Sequence, residues 1–217
     1  MKQFAVIGLG RFGSSVATSL AKMGYEVLAI DNDEAKINAI MDDVTHAVQA
    51  DALDEEALKA LGMRNFDVVI VAIGHDIQAN ILITVMLKEM GVKKVVAKAR
   101  TELHGKVLAR VGADRVVFPE RDMGVRVARA LVSGNILDAI ELSPEYSIME
   151  VVAPGSTIGR SLGEAALRRQ HGISILAIRR GADVIIAPGA DQTVQEGDVL
   201  VAVGRNDRLE RWGLDER

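Results

Sequence analysis

The chain has 217 residues, of which 49% are hydrophobic and 26% charged, a balance typical of globular proteins. The formal net charge of −4 argues against nucleic acid as the main partner, and the absence of cysteine excludes disulfides, thiolate catalysis and cysteine-based metal sites. No apolar run approaches the roughly 18 residues of a membrane-spanning helix, and the N-terminus does not resemble a signal peptide, so we expect a cytoplasmic protein.

The first part of the chain alternates short apolar strands with helices. Strands are predicted over residues 4–7, 26–30, 45–49, 68–72, 94–98 and 115–118. Helices are predicted over residues 11–23, from a cap at Asn32 or Asp33 to about 41, and over 54–61, 76–90, 102–111 and 120–134. This alternation predicts an α/β fold, a Rossmann-like doubly wound parallel sheet with strand order 3-2-1-4-5-6.

The pattern changes after residue 134. Short strands are predicted over residues 136–142, 147–152, 174–179, 184–187 and 199–203, with a helix over 162–171 and a last short helix that carries Leu209 and Trp212. We therefore expect two domains: a nucleotide-binding domain over residues 1–134 and a small α+β domain over residues 135–217.

The segment GLGRFG, residues 8–13, follows the first strand and opens the first helix. In this dinucleotide fingerprint Gly8 permits the tight turn, Gly10 lets the backbone approach a phosphate, and Gly13 lets the helix pack against the sheet. Asp31 ends the second strand at the spacing of a ribose-binding carboxylate. Because it would repel a 2′-phosphate, NADP is disfavoured, while NAD, ATP, ADP and AMP remain open.

Arg11 is the unusual residue of this loop, because a cation is unfavourable beside the positive end of the helix dipole. A terminal phosphate of a nucleotide would offset that cost through charge-assisted hydrogen bonds. The alternative is an ordinary exposed arginine that contributes little.

Other candidates follow the later strands, where ligands bind in this architecture. Asp51 would face an adenine amino group or cap its own loop. Lys98 and Arg100 would contact phosphate or form a solvated edge. Glu120 would bind a divalent cation or charge a helix N-terminus. His75 is more typical of a solvated loop than of a catalytic base.

No catalytic residue is predicted, because the chain has neither a Ser/His/Asp constellation in a sensible frame nor zinc-ligand spacing. We therefore expect a non-enzyme. Two alternatives remain open at this point, an NAD(H)-binding oxidoreductase and a free-standing nucleotide sensor.

Several motifs resemble one family. Residues 7–13 (IGLGRFG), 30–34 (IDNDE), 50–52 (ADA), 98–100 (KAR) and 118–123 (FPERDM) are similar to RCK (regulator of potassium conductance) domains of the KtrA/TrkA type. Residues 159–163 (GRSLG), 175–180 (ILAIRR) and 196–204 (EGDVLVAVG) resemble the TrkA C-terminal domain. The resemblance covers nearly the whole chain, with both patterns in the family's order.

The resemblance implies a cytosolic regulatory subunit that gates a membrane potassium-translocating subunit of the KtrB/TrkH type. It further implies homodimers that assemble into an octameric ring at the inner face of the membrane. ATP and ADP, and in some members NAD(H), would occupy the fingerprint site, with ATP favouring conduction and ADP closure. Arg11 would reach the terminal phosphate of a neighbouring subunit's ATP, and Glu120 would bind Mg2+ or Ca2+ at the dimer interface. The cofactor-binding residues would be Gly8, Gly10, Arg11, Phe12, Gly13, Asp31, Asn32, Asp51, Ala52, Ile73, Gly74, Lys98, Arg100 and Glu120.

The resemblance also implies a second ligand for the C-terminal domain, cyclic di-AMP. Ile175, Ile178 and Pro188 would enclose its adenines, and Arg179 would reach a phosphate. The alternative is that these are ordinary core and edge residues.

Overall fold

The computed structural model describes residues 2–132 and 136–213, and the chain divides into two compact units after Arg121. The strands of the first unit are β1 (Gln3–Ile7), β2 (Glu26–Asp31), β3 (His46–Gln49), β4 (Val68–Val71), β5 (Val95–Lys98) and β6 (Arg115–Val117). The helices are α1 (Arg11–Lys22), α2 (Glu34–Ile40), α3 (Glu55–Ala60), α4 (Ile77–Glu89) and α5 (Glu102–Arg110), and α6 (Pro119–Val132) begins in this unit. The predicted domain boundary, between residues 134 and 135, lies outside the described residues.

The six strands form one parallel sheet in the order β3-β2-β1-β4-β5-β6, which confirms the predicted fold class and strand order. Both faces of the sheet are covered, because Ile7 packs in one hydrophobic cluster and its neighbour Val6 in another. This two-sided burial explains why the strands read as continuous apolar runs rather than alternating ones.

Side-chain caps fix where most of these helices begin. Asp33, Asp54, Asp76 and Thr101 each accept a hydrogen bond from a backbone N–H in the first turn of α2, α3, α4 and α5. Helix α1 is different, because Gly10 occupies its cap position and no side chain accepts from its first turn. The first turn of α1 therefore keeps unpaired donors for something else.

The second unit is a five-stranded antiparallel sheet in the order β10-β9-β11-β8-β7, with helices beside it. Its strands are β7 (Ile136–Ser143), β8 (Tyr146–Val152), β9 (Ser174–Arg180), β10 (Asp183–Ile186) and β11 (Val199–Arg205). Its helices are α7 (Leu162–Ala165), α8 (Leu167–His171) and α9 (Asn206–Gly213). The prediction of one helix over residues 162–171 is wrong, because Ala166 adopts a left-handed conformation (φ 47°) that ends α7 and starts α8.

Candidate functional site

A cavity of about 630 Å³ opens at the carboxyl ends of the strands in the first unit. It lies at the switch point of the strand order, between β1 and β4, where α1 packs on one face of the sheet and α4 packs on the other. We call this cavity the crevice. All of the predicted cofactor-binding residues except Gly13 line it, namely Gly8, Gly10, Arg11, Phe12, Asp31, Asn32, Asp51, Ala52, Ile73, Gly74, Lys98, Arg100 and Glu120.

The three glycines of the loop do different things. Gly8 has φ +93°, and a Cβ there would lie 2.9 Å from Ile73 Cγ1. A Cβ on Gly13 would lie 1.9 Å from the carbonyl oxygen of Gly8, so Gly13 packs α1 against the loop instead of facing the crevice. A Cβ on Gly10 would meet no heavy atom within 4 Å, so this position keeps space open beside the uncapped start of α1. Such a helix start attracts anions through its free N–H groups and its dipole.

Asp31 is a buried carboxylate at the end of β2, with four hydrogen bonds. Its Oδ2 accepts from the N–H of Leu9 (2.6 Å), its Oδ1 accepts from the N–H of Asp33 (3.0 Å), and Lys36 Nζ donates to both oxygens (3.1 and 3.2 Å). Burial alone would raise the pKa of Asp31, but the bonds from Leu9, Asp33 and Lys36 outweigh it and hold that pKa below its ordinary value. Asp31 is therefore charged at neutral pH, as a ribose-binding carboxylate must be.

Four of the predicted residues meet at the opposite end of the crevice. Lys98 Nζ donates to Glu120 Oε1 at 2.6 Å and lies 5.8 Å from the centre of the Phe12 ring. The side chain of Lys98 is 11% exposed, whereas that of Glu120 is 66% exposed. The hydrogen bond from Lys98 and the nearby charge of Arg11 hold the pKa of Glu120 below its ordinary value. Among the residues that the structure describes, the exposed guanidinium of Arg11 has no hydrogen-bond or ion-pair partner.

The remaining predicted residues line the crevice with less specific contacts. Asp51 accepts a hydrogen bond from the N–H of Leu53 (2.9 Å), so it caps its own loop while also facing the crevice. The backbone oxygen of Asn32 accepts from the side chain of Gln49 (3.0 Å). Gly74 lies so close to Lys98 that a Cβ there would be 3.2 Å from Nζ.

Sequence reasoning missed two residues of this site. Lys36 lines the crevice and pairs with Asp31, and its place in the first turn of a helix that starts at the crevice was the available signal. Asn80 is fully buried and donates to the backbone oxygens of Ile73 (2.5 Å) and Lys98 (3.0 Å). It joins two segments that line the crevice, and nothing in the local sequence indicated this role.

Asp76 and His75 are two titratable residues at the edge of the crevice. Asp76 lines it, but its carboxylate accepts from the N–H of Ala79 (2.9 Å) and caps α4. His75 is exposed, as expected for a solvated loop. In the described part of the chain, no three His, Asp or Glu side chains lie together as a metal site.

The predicted second-ligand residues lie in and beside β9 and are not equally accessible. Ile178 is fully buried in the core of the second unit, and Ile175 packs partly against the same core. Arg179 donates to Glu150 Oε2 at 3.2 Å, and Pro188 is half-buried. Because neighbouring residues of a strand point to opposite faces, Ile178 and Arg179 cannot face one ligand together. This placement argues against the predicted contact of Ile178 with an adenine.

Comparison with known proteins adds to this geometry. The family model of the TrkA-N domain matches residues 4–119, and that of the TrkA-C domain matches residues 148–211. The Ktr system potassium uptake protein C of Bacillus subtilis (strain 168) is 48% identical, over 97% of this chain and 96% of that protein. The Ktr system potassium uptake protein A of the same organism is 46% identical, over 97% of this chain and 95% of that protein.

The solved structures agree on the fold. The RCK domain of GsuK superimposes with a TM-score of 0.68 at 18% identity, over 100% of this chain and 48% of that one. Within the described ranges, no helix combines the length and apolar character needed to cross a membrane.

Proposed function

Since the chain belongs to the TrkA-type family of RCK proteins, which includes the Ktr system potassium uptake proteins, we propose that it regulates potassium transport by binding adenine nucleotides in the crevice. One observation carries the proposal. The crevice combines an uncapped helix start, a charged carboxylate at the end of β2 and a group of cations at its other end. These features suit the phosphates and the ribose of one nucleotide.

The cation end of the crevice supports discrimination between ATP and ADP. Arg11 forms no hydrogen bond or ion pair within the described residues, whereas Lys98 is already paired with Glu120. A third phosphate adds negative charge that Arg11 can bind, and it competes with Glu120 for Lys98. A ligand shifts a conformational equilibrium only by its differential affinity for the two states, so such contacts give ATP and ADP different effects.

A divalent cation fits this arrangement only in part. Glu120 offers an exposed carboxylate, but Mg2+ or Ca2+ takes six or more oxygen ligands and the described residues hold no cluster that supplies them. We propose that Glu120 contributes to a shared Mg2+ or Ca2+ site between two subunits, with phosphate oxygens and water as the other ligands. When bound, the ion would offset phosphate charge. Glu120 would then bind the ion instead of pairing with Lys98.

We further propose that the crevice performs no chemistry. The carboxylate of Asp76 is occupied in capping α4, and His75 is exposed to solvent. We therefore expect neither side chain to act as an acid or base. The output would be a change of shape passed to a KtrB/TrkH-type membrane subunit, by homodimers assembled into an octameric ring. The proposal implies a cytoplasmic protein that is held at the inner face of the cell membrane by its partner.

The test has two steps. Calorimetry with ATP, ADP, NAD and NADH identifies the ligand, and we expect ATP and ADP to bind. Potassium uptake is then measured in vesicles that contain the membrane subunit, with and without this protein and with each nucleotide. We expect uptake to be faster with ATP than with ADP only when the protein is present. Uptake that is the same with both nucleotides would overturn the regulatory proposal.

A further inference from the structure

The present hydrogen bonds of Asp31 occupy the acceptor sites that the hydroxyls of a ribose would use. A carboxylate has about four acceptor sites, and Asp31 uses them for the N–H groups of Leu9 and Asp33 and for two contacts with Lys36. A ribose offers two hydroxyl donors. One of the present donors must therefore leave before both hydroxyls can bind.

Only Lys36 can leave easily. The Leu9 N–H belongs to the glycine loop, and the Asp33 N–H belongs to the residue that caps α2, so both are held by the backbone fold. The side chain of Lys36 is 37% exposed, and an ammonium on a flexible four-carbon stem is readily hydrated.

Asp33 provides a second carboxylate that the displaced ammonium can bind. Asp33 caps α2 through Oδ1, which accepts from the N–H of Ala35 at 2.9 Å. Its other oxygen, Oδ2, lies 3.9 Å from Lys36 Nζ. A short movement of Nζ thus exchanges one ion pair for another, and the helix cap stays intact.

We propose that Lys36 competes with the ribose for Asp31 and passes to Asp33 when a ribonucleotide binds. Lys36 is then a specificity-determining residue, because it lowers the gain in affinity that the 2′- and 3′-hydroxyls provide. In the empty site it keeps the buried charge of Asp31 paired. This inference rests on the proposed function, that the crevice binds adenine nucleotides.

Direct recognition of the ribose by Lys36 would give the opposite result. If Lys36 instead donated to the ribose oxygens itself, its removal would reduce the preference for a nucleotide with hydroxyls. The sign of the change therefore separates competition from direct recognition.

The experiment uses calorimetry on the full chain with ATP and 2′,3′-dideoxy-ATP, and its readout is the ratio of the dideoxy Kd to the ATP Kd. Lys36→Met removes the ammonium but keeps most of the stem. We expect it to raise the ratio about 3- to 10-fold, because two acceptor sites on a charged group become free. The loss of one positive charge from the crevice weakens both ligands alike and cancels in the ratio.

Two further variants complete the test. Lys59→Met is the matched control, since Lys59 also pairs with two acidic side chains but does not line the crevice, and its ratio should equal that of the wild type. Asp33→Asn keeps a capping side chain but removes the second carboxylate, so we expect the ratio to fall about 2- to 5-fold.

The outcomes are separable. A Lys36→Met ratio that is unchanged or lower overturns the competition, and circular dichroism with the Lys36→Gln variant guards against a folding defect. An Asp33→Asn ratio equal to the wild type overturns the transfer to Asp33. If the wild type binds neither nucleotide, the proposed function fails as well, whereas wild-type ATP binding with an unchanged ratio overturns the Lys36 inference alone.

Discussion

We expect a methyl group added at Gly13 to lower the stability of the fold, and one added at Gly10 to weaken nucleotide binding by the same loop. The Cβ of Gly13→Ala would lie 1.9 Å from the carbonyl oxygen of Gly8, whereas real Cβ atoms essentially never come within 3.0 Å of such an atom. The start of α1 must therefore move away by at least 1.1 Å (3.0 − 1.9). The Cβ of Gly10→Ala would meet no heavy atom within 4 Å and would project into open space.

These geometries set the expected magnitudes. Overpacking costs about 1–3 kcal/mol, and Gly13→Ala belongs at the upper end because the neighbour is backbone that cannot rotate away. The better helix propensity of alanine returns about 1 kcal/mol, so we expect a net loss of about 2 kcal/mol in the free energy of unfolding. Gly10→Ala changes only a cap residue and should cost about 1 kcal/mol or less. It should nevertheless weaken ATP binding at least tenfold, because the methyl group occupies the place where the backbone approaches a phosphate.

Urea unfolding followed by circular dichroism measures the first effect, and calorimetry with ATP measures the second. The reasoning is refuted if Gly13→Ala unfolds within about 0.5 kcal/mol of the wild type, a margin typical of substitutions that meet no special feature. It is equally refuted if Gly10→Ala binds ATP with wild-type affinity.

Three other predictions concern an exposed cation, a buried ion pair and a left-handed residue. Arg11→Gln should lower the preference for ATP over ADP about tenfold or more while leaving the ADP Kd nearly unchanged, and equal loss of both affinities in calorimetry would contradict it. Asp198→Asn should cost about 2–3 kcal/mol in urea unfolding, because the fully buried Asp198 accepts two 2.8 Å bonds from Arg180. The Arg180 hydrogen bond holds the pKa of Asp198 below its ordinary 3.8, so this stabilisation is complete above that pH and is lost as the pH falls through the lower folded-state pKa. Ala166→Gly should raise the midpoint of thermal unfolding by a few degrees, since glycine relieves the left-handed strain at φ 47°; a lower midpoint would contradict this.

Much of the first unit could be predicted because its signals are local. Apolar runs separated by glycine and capping residues predict where strands and helices begin, and the parallel sheet then brings the residues after each strand to one edge. Asp31, Asp51 and Lys98 were placed at the crevice by this reasoning, and all three line it. Whether they bind a nucleotide remains a prediction.

The sequence by itself determined the order of the elements, the sheet topology and most of the charged residues at the crevice, since these depend on periodicity and on the spacing of the glycines. Only the tertiary structure decided which charges pair with which. Lys98 meets Glu120 and Lys36 meets Asp31 because separate segments come within about 3 Å of one another, and no periodic pattern encodes such a distance. The burial of Ile178 was decided in the same way, because both faces of β9 carry apolar residues and only packing selects the face that becomes core.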